Sequence, residues 1–152
     1  MFRLNRLTDY AVVVMGQMAS DRAQVRSAAQ IAEATGVPLP TVAKLMNLLA
    51  KDGLIASQRG ASGGYRLSRP AEQITVAEIV QAIEGPIALT ACVDGVGGGC
   101  EAEHFCPMRG NWNKVNGAIR RALEGVSLAD MIPGLCGTLT FHLPDRAAVG
   151  AG

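Results

Sequence analysis

Between residues 27 and 68 the chain carries a series of start and stop signals that few folds satisfy together. Ser27 and Gln30 form a capping-box pair, Ala28, Ile31 and Ala32 supply a short apolar face, and Gly36 stops the turn. Pro38 and Pro40 come next. Proline has no amide hydrogen and is tolerated only in the first turn of a helix, so a third helix is predicted to start here. It runs through Val42, Leu45, Met46, Leu48 and Leu49 to a glycine stop at Gly53. A short helix, a tight turn at Gly36 and a longer helix make a helix-turn-helix pattern. Two strand-like runs follow, residues 54–59 and 65–68, separated by Gly60, Ala61, Ser62, Gly63 and Gly64. They predict a hairpin, the wing of a winged helix.

The flanking segments fit the same plan. Thr8 or Asp9 can cap a first helix that reaches about Ser20 and carries Ala11, Val12, Met15, Met18 and Ala19 at helical spacing. Thr75 with Glu78 caps another helix, with Val76, Ile79, Val80 and Ile83 on its apolar face and Gly85 and Pro86 at its end. Further on, Trp112, Val115, Ile119 and Leu123 form a helical stripe, with Lys114, Arg120 and Arg121 on other faces. A stripe placed after a complete small domain is expected to pair with a second copy of the chain; the alternative is that it folds back on its own core. Ser127 with Asp130 caps a last short helix. The expected architecture is mainly α with a small β-hairpin, a winged helix-turn-helix followed by a long dimerisation helix. The division is residues 1–85 for the winged domain, 86–110 for a cysteine-bearing loop, 111–135 for the dimerisation and short helices, and 136–152 for a flexible tail.

At 152 residues, 49% hydrophobic and 18% charged, the chain has the size and composition of one folded domain. No apolar run approaches the ~20 residues that span a bilayer, and MFRLNRLTDYAVVVMG lacks a small-residue cleavage site. A cytoplasmic location without membrane partners is expected. The net charge of +1 hides two opposite halves. Residues 1–70 hold nine Lys or Arg against four Asp or Glu, a net of +5, and the remainder carries −4. A basic front half suits a nucleic-acid partner.

Within the helix-turn-helix, the start of the second helix is the part that meets base edges in the major groove. Thr41 and Lys44 are its polar side chains, while Pro38, Leu39, Pro40, Val42 and Ala43 offer only apolar contact, for example to thymine methyls. Arg59 beside Gly60 at the wing tip suits a narrow, electronegative minor groove; the alternative is a solvated surface arginine.

Cys92, Cys100 and Cys106 follow a C-x7-C-x5-C spacing in a glycine-rich segment. Structural zinc favours C-x2-C knuckles, which are missing here, whereas an iron–sulfur cluster needs thiolates on a loop able to wrap a larger inorganic core. The spacing favours a cluster over zinc or three free thiols. On spacing, His104 is the nearer candidate for a fourth ligand, although a histidine so placed can equally face solvent; Asp9 is the other candidate. Cys136 reads as a structural thiol and His142 as exposed. No catalytic constellation or phosphate loop is present, so neither an enzyme nor a small-molecule substrate is expected.

Together these motifs resemble the IscR/NsrR-type family of bacterial winged-helix transcription regulators. The likeness covers nearly the whole chain: RLTDYAV from Arg6, LAKDGLIASQRGASGGYRL, ITVAEIVQAIEG, the three cysteines, and SLADM from Ser127. EGPIALTAC and CPMRGNWNKVN look most like the branch that regulates the Suf iron–sulfur assembly operon. The resemblance implies a homodimer, a 2Fe-2S or 4Fe-4S cluster held by Cys92, Cys100 and Cys106, and operator double-stranded DNA read by helix and wing. IscR-type members place a histidine three residues after the last cysteine, where this chain has Arg109, which cannot ligate iron. NsrR-type members use an aspartate at the start of the first helix, reaching over from the partner subunit, and TDYA puts Asp9 there. The resemblance therefore favours Asp9 over His104, and a repressor of Suf-type genes over two other readings. Those are a nitric-oxide sensor of the same fold and a zinc-binding interaction module that does not bind DNA.

Overall fold

A computed structural model of the chain describes residues 3–21, 23–90, 93, 105, 107–108 and 110–133. Among these, the order is α1 (Arg6–Ala19), α2 (Ala28–Thr35), α3 (Leu39–Lys51), β1 (Ile55–Gln58), β2 (Gly64–Leu67), α4 (Val76–Glu84) and α5 (Asn111–Glu124). Single 3-10 turns at Ala71–Gln73 and Ala129–Met131 flank α4 and follow α5. The mainly helical fold with a two-stranded antiparallel hairpin is the one the motifs predict.

Capping chemistry fixes most of these boundaries. Ser27 and Gln30 make both bonds of the capping box at α2, and Thr75 and Glu78 make both at α4. Gly36 adopts the left-handed conformation, φ 72°, that lets its N–H close on Ala32. The Thr35 hydroxyl donates to the Ile31 carbonyl at 2.7 Å and accepts from the Val37 N–H at 3.3 Å, so the helix-turn-helix corner is satisfied from within. Pro38 is the N-cap of α3 and Pro40 sits in its first turn. At the far end Gly53 N–H bonds the Ala50 carbonyl and Leu54 N–H the Leu49 carbonyl, the paired closure of a Schellman motif.

Three boundaries differ from the sequence expectation. Helix α1 starts at Arg6 with Asn5 as its cap, not at Thr8 or Asp9. The Asn5 side chain accepts the Leu7 N–H, while the Thr8 hydroxyl is drawn inward to Glu84 and Asp9 lies in the first turn. The first strand is shorter, because Leu54 belongs to the α3 closure, and the second keeps its expected length but starts one residue earlier, at Gly64, although Ser68 N–H still bonds the Leu54 carbonyl. Finally, Ser127 and Asp130 bond each other reciprocally as expected, but around one 3-10 turn rather than an α-helix.

The core gathers Val14, Met15 and Met18 from α1, Ile31 from α2, Val42, Leu45, Met46 and Leu49 from α3, and Ile79 from α4. The segment after α5 returns to this core. Val76 N–H bonds the Val126 carbonyl, Leu128 N–H bonds the Ile74 carbonyl at 2.7 Å, and the Leu128 side chain is fully buried. Full burial of such side chains contributes about 1.5–3 kcal/mol each relative to exposure, which makes this return a strong anchor for the end of α5.

Burial works to raise the Glu78 carboxyl, but the Thr75 amide and the Arg69 guanidinium, 2.7 Å away, outweigh it and hold the pKa below the usual glutamate value. The Ser127 amide and hydroxyl lower Asp130 in the same way. A depressed carboxylate stabilises the fold above its unfolded-state pKa and loses that contribution as the pH falls through the folded-state value. Glu78→Gln is therefore expected to lower the thermal midpoint slightly at neutral pH and to flatten its fall on acidification below about pH 5, measured by circular dichroism melts across pH. An unchanged acid limb would remove Glu78 as a contributor.

Candidate nucleic-acid interface and cysteine loop

Helix α3 turns Val42, Leu45, Met46 and Leu49 inward, each fully buried. That choice leaves Leu39, Pro40, Ala43, Lys44 and Asn47 exposed, with Thr41 half-buried at the edge. Thr41 and Lys44 therefore lie where a groove-reading helix needs polar side chains. Asn47 is an addition the sequence reading missed. It lies four residues after Ala43 and three after Lys44, a spacing that marks a shared helix face, and an asparagine can pair with adenine in the major groove.

The hairpin pairs Ile55 with Leu67 and Gln58 with Gly64, and places Arg59 and Gly60 at the exposed tip, where Gly60 has φ 112°. Arg26, just before α2, adds a third strand-like contact: its N–H bonds the Tyr65 carbonyl at 3.0 Å and its carbonyl accepts from Tyr65 at 2.8 Å. A Cβ on Gly64 would lie 2.6 Å from the Arg26 carbonyl carbon, so only glycine permits this approach. The wing is thereby stitched to the loop that leads into the helix-turn-helix.

The other predicted residues are more widely distributed. Asp9 is exposed in the first turn of α1. Cys92, Cys100, Cys106 and the alternate ligand His104 lie outside the described residues, as do Arg109, Cys136, His142 and the expected tail. What is described is how the approach to the cysteine segment is held. The Asn116 side chain of α5, 7% exposed, donates to the Ile87 carbonyl at 2.8 Å and accepts from the Leu89 N–H at 3.1 Å. Glu84, at the end of α4, accepts from the Asn5 N–H at 2.8 Å and from the buried Thr8 hydroxyl at 2.5 Å. Neither clamp was anticipated. Asn116 did leave a signal, a polar residue at a core position of the Trp112 stripe. Along α5 itself, Trp112 and Val115 are 42% and 45% exposed, and Ile119 and Leu123 are half-buried.

A family model described as an iron-dependent transcriptional regulator, Rrf2, matches residues 4–134. The chain belongs to the Rrf2 family. Among Rrf2-type relatives, it is 32% identical to the HTH-type transcriptional regulator IscR of Cronobacter sakazakii, over 86% of this chain and 80% of that protein. The solved structure of T. potens IscR is similar at 30% identity and a TM-score of 0.62, covering 86% of this chain and 85% of that one. The structure of CymR, the global cysteine regulator of B. subtilis, is similar at 25% identity and a TM-score of 0.65, covering 86% and 96%. The Rrf2 chain described here is accordingly a DNA-binding transcription regulator and not an enzyme. Among the described residues no helix is long and apolar enough to cross a membrane.

If Arg59 reads a base or a narrow minor groove, Arg59→Ala weakens binding to a selected operator by ~1–3 kcal/mol and spares random-sequence DNA. Fluorescence anisotropy on both duplexes checks this, and an equal loss on the two would reassign Arg59 to a phosphate.

Proposed function

We propose that this chain is a homodimeric, cytoplasmic repressor of iron–sulfur assembly genes of the Suf type, whose operator binding responds to a cluster held by Cys92, Cys100 and Cys106. The observation that carries the reading lies in the chain on either side of the three cysteines. The stretch at Ile87 and Leu89 ahead of Cys92 is fastened to α5 by Asn116, and α5 itself exposes Trp112 and Val115 of its apolar stripe. The match to an iron-dependent regulator family and the IscR likeness support the same reading.

The donor set suits an iron–sulfur cluster: three thiolates on a glycine-rich segment, with an exposed carboxylate, Asp9, as the fourth ligand from the partner subunit. When bound, the cluster would supply redox- and iron-sensitive coordination. The chain's own residues do the rest. Asp9 ties the first turn of α1 to the cysteine segment across the dimer, and Glu84 joins that same turn to the end of α4. With Asp9 released from that tie, the start of α1 would be held by Glu84 alone, and the relation between the two DNA-reading helices would change. On this reading Trp112, Val115, Ile119 and Leu123 form the dimer contact, and Thr41, Lys44, Pro40, Arg59 and Gly60 meet the operator.

Anaerobic purification with absorption spectra and iron and sulfide analysis tests the cluster. Visible bands with matching iron and sulfide are expected, lost in each of Cys92→Ala, Cys100→Ala and Cys106→Ala. Asp9→Ala is expected to shorten cluster lifetime in air and to change operator affinity; no change in either would discard Asp9 as the ligand. The likeness to CymR gives a second reading, a regulator of cysteine metabolism, which a metal-free protein with operator binding intact would favour. A colourless zinc protein would overturn the sensor.

The dimer contact has its own check. Val115→Glu places a charge in the apolar stripe without touching a buried core residue, and it is expected to shift the protein from dimer to monomer in light scattering. A dimer that persists would place the contact elsewhere.

A further inference from the structure

The tip of α3 is unlike the rest of the basic half. Pro38, Leu39, Pro40 and Ala43 are all exposed among the described residues, Leu39 by 48%. Backbone donors are scarce as well. Pro38 supplies no side-chain cap, Pro40 has no N–H, and the amides of Thr41 and Val42 both bond the Pro38 carbonyl, at 2.9 and 3.0 Å. Among the described residues, this leaves the Leu39 amide as the free donor of the tip. With so few backbone donors the helix start is poorly suited to cradle a phosphate, and Leu39, Pro40 and Ala43 carry no side-chain donor or acceptor for the polar edges of the bases, which leaves that readout to Thr41, Lys44 and Asn47. One apolar feature projects into the major groove, the C5-methyl of thymine.

We propose that Leu39, with Pro40 and Ala43 beside it, is a specificity-determining contact that selects operators by thymine methyl groups in the major groove. The inference rests on α3 being the helix that enters the groove, and it commits to the feature recognised there. The surroundings favour DNA over a protein partner. Lys44 is exposed one turn after Pro40, and Arg59 and Arg66 are exposed on the wing, so the basic half offers cationic side chains that draw in a polyanion. Leu39 and Ala43 are four residues apart and share one face, a footprint that spans neighbouring base pairs. Burying one methyl group is worth about 0.8 kcal/mol, or roughly 4-fold in affinity for each thymine contacted.

The experiment uses the full chain and a duplex recovered by selection from a random-sequence pool, synthesised once with thymine and once with deoxyuridine in the half-sites. Deoxyuridine removes only the methyl group. The unaltered protein is expected to bind the deoxyuridine duplex about 4-fold more weakly per contacted methyl, and Leu39→Ala to bind the two duplexes equally. Leu39 is exposed, so the variant folds; Lys44→Ala serves as the reference and is expected to weaken both duplexes alike. Equal binding of both duplexes by the unaltered protein, or a full deoxyuridine penalty retained in Leu39→Ala, overturns the proposal. If Lys44→Ala also changes nothing, the failure lies with α3 as the reading helix; if Lys44→Ala weakens binding, it lies with methyl recognition alone.

Discussion

The burial of Val42, Leu45, Met46 and Leu49 sets the rotation of α3, and much of the molecule's surface logic follows from it. A helix turns about 100° per residue, so a slip of one position would bury Ala43 and Asn47 and expose two leucines. Replacing Leu45, Met46 or Leu49 by alanine in a close-packed core costs on the order of 2–5 kcal/mol, a large part of what holds a domain of this size folded. With the inner stripe fixed, the outer one is fixed too: an apolar tip at Leu39 and Pro40, then Lys44 and Asn47. The side chains offered to DNA are thus a consequence of the core, not an independent arrangement.

A second set of contacts links that core to the segments proposed to sense the signal. Thr8 is almost fully buried, and a buried hydroxyl needs a partner; Glu84 supplies it while also accepting from the Asn5 backbone. Five residues beyond Glu84, Asn116 grips the backbone at Leu89, and Ile87 between them. The first turn of α1, the end of α4, the approach to Cys92 and the middle of α5 are therefore joined by short polar contacts. Such contacts have few alternative geometries, unlike apolar packing, so on the proposed reading a change in the cysteine segment would be passed on through them.

Local chemistry was legible in the sequence at most boundaries set by residues a few positions apart, the Asn5 cap of α1 being an exception. The boxes Ser27 with Gln30 and Thr75 with Glu78, the glycine stop at Gly36 and the prolines of α3 all work this way. What escaped is set by residues far apart in the chain. Thr8 looks like a helix cap until Glu84, 76 positions later, claims its hydroxyl. Arg26 shows no strand pattern because its pairing is one isolated bridge to Tyr65. Asn116 looks like a flaw in an apolar stripe until the Ile87 and Leu89 backbone is placed against it. Of the candidate site, the exposed side chains of α3 could be read from helical spacing alone, and Asn47 could have been read in the same way. The cysteine spacing was equally plain, but the fourth ligand of the proposed cluster would depend on a subunit contact that no local pattern encodes.

The wing shows how the DNA-reading parts respond as one body. Ala56 pairs with Arg66 and Ser57 with Tyr65, while Tyr65 also exchanges both backbone bonds with Arg26 ahead of α2. Gly64 brings the two backbones too close for any larger residue. A two-stranded hairpin alone is marginal in water, but one bonded to the loop before α2 and packed on α1 and α3 cannot swing by itself without breaking those bonds. A signal arriving from the cysteine segment therefore has little freedom to bend the wing relative to α3. In the proposed homodimer, the degree of freedom left would be the placement of one whole winged domain relative to its partner, which would alter the spacing of two half-sites while leaving each domain's own contacts intact. On the proposed reading, the signal changes which half-site spacing the dimer fits, and the sequence preference within each half-site stays constant.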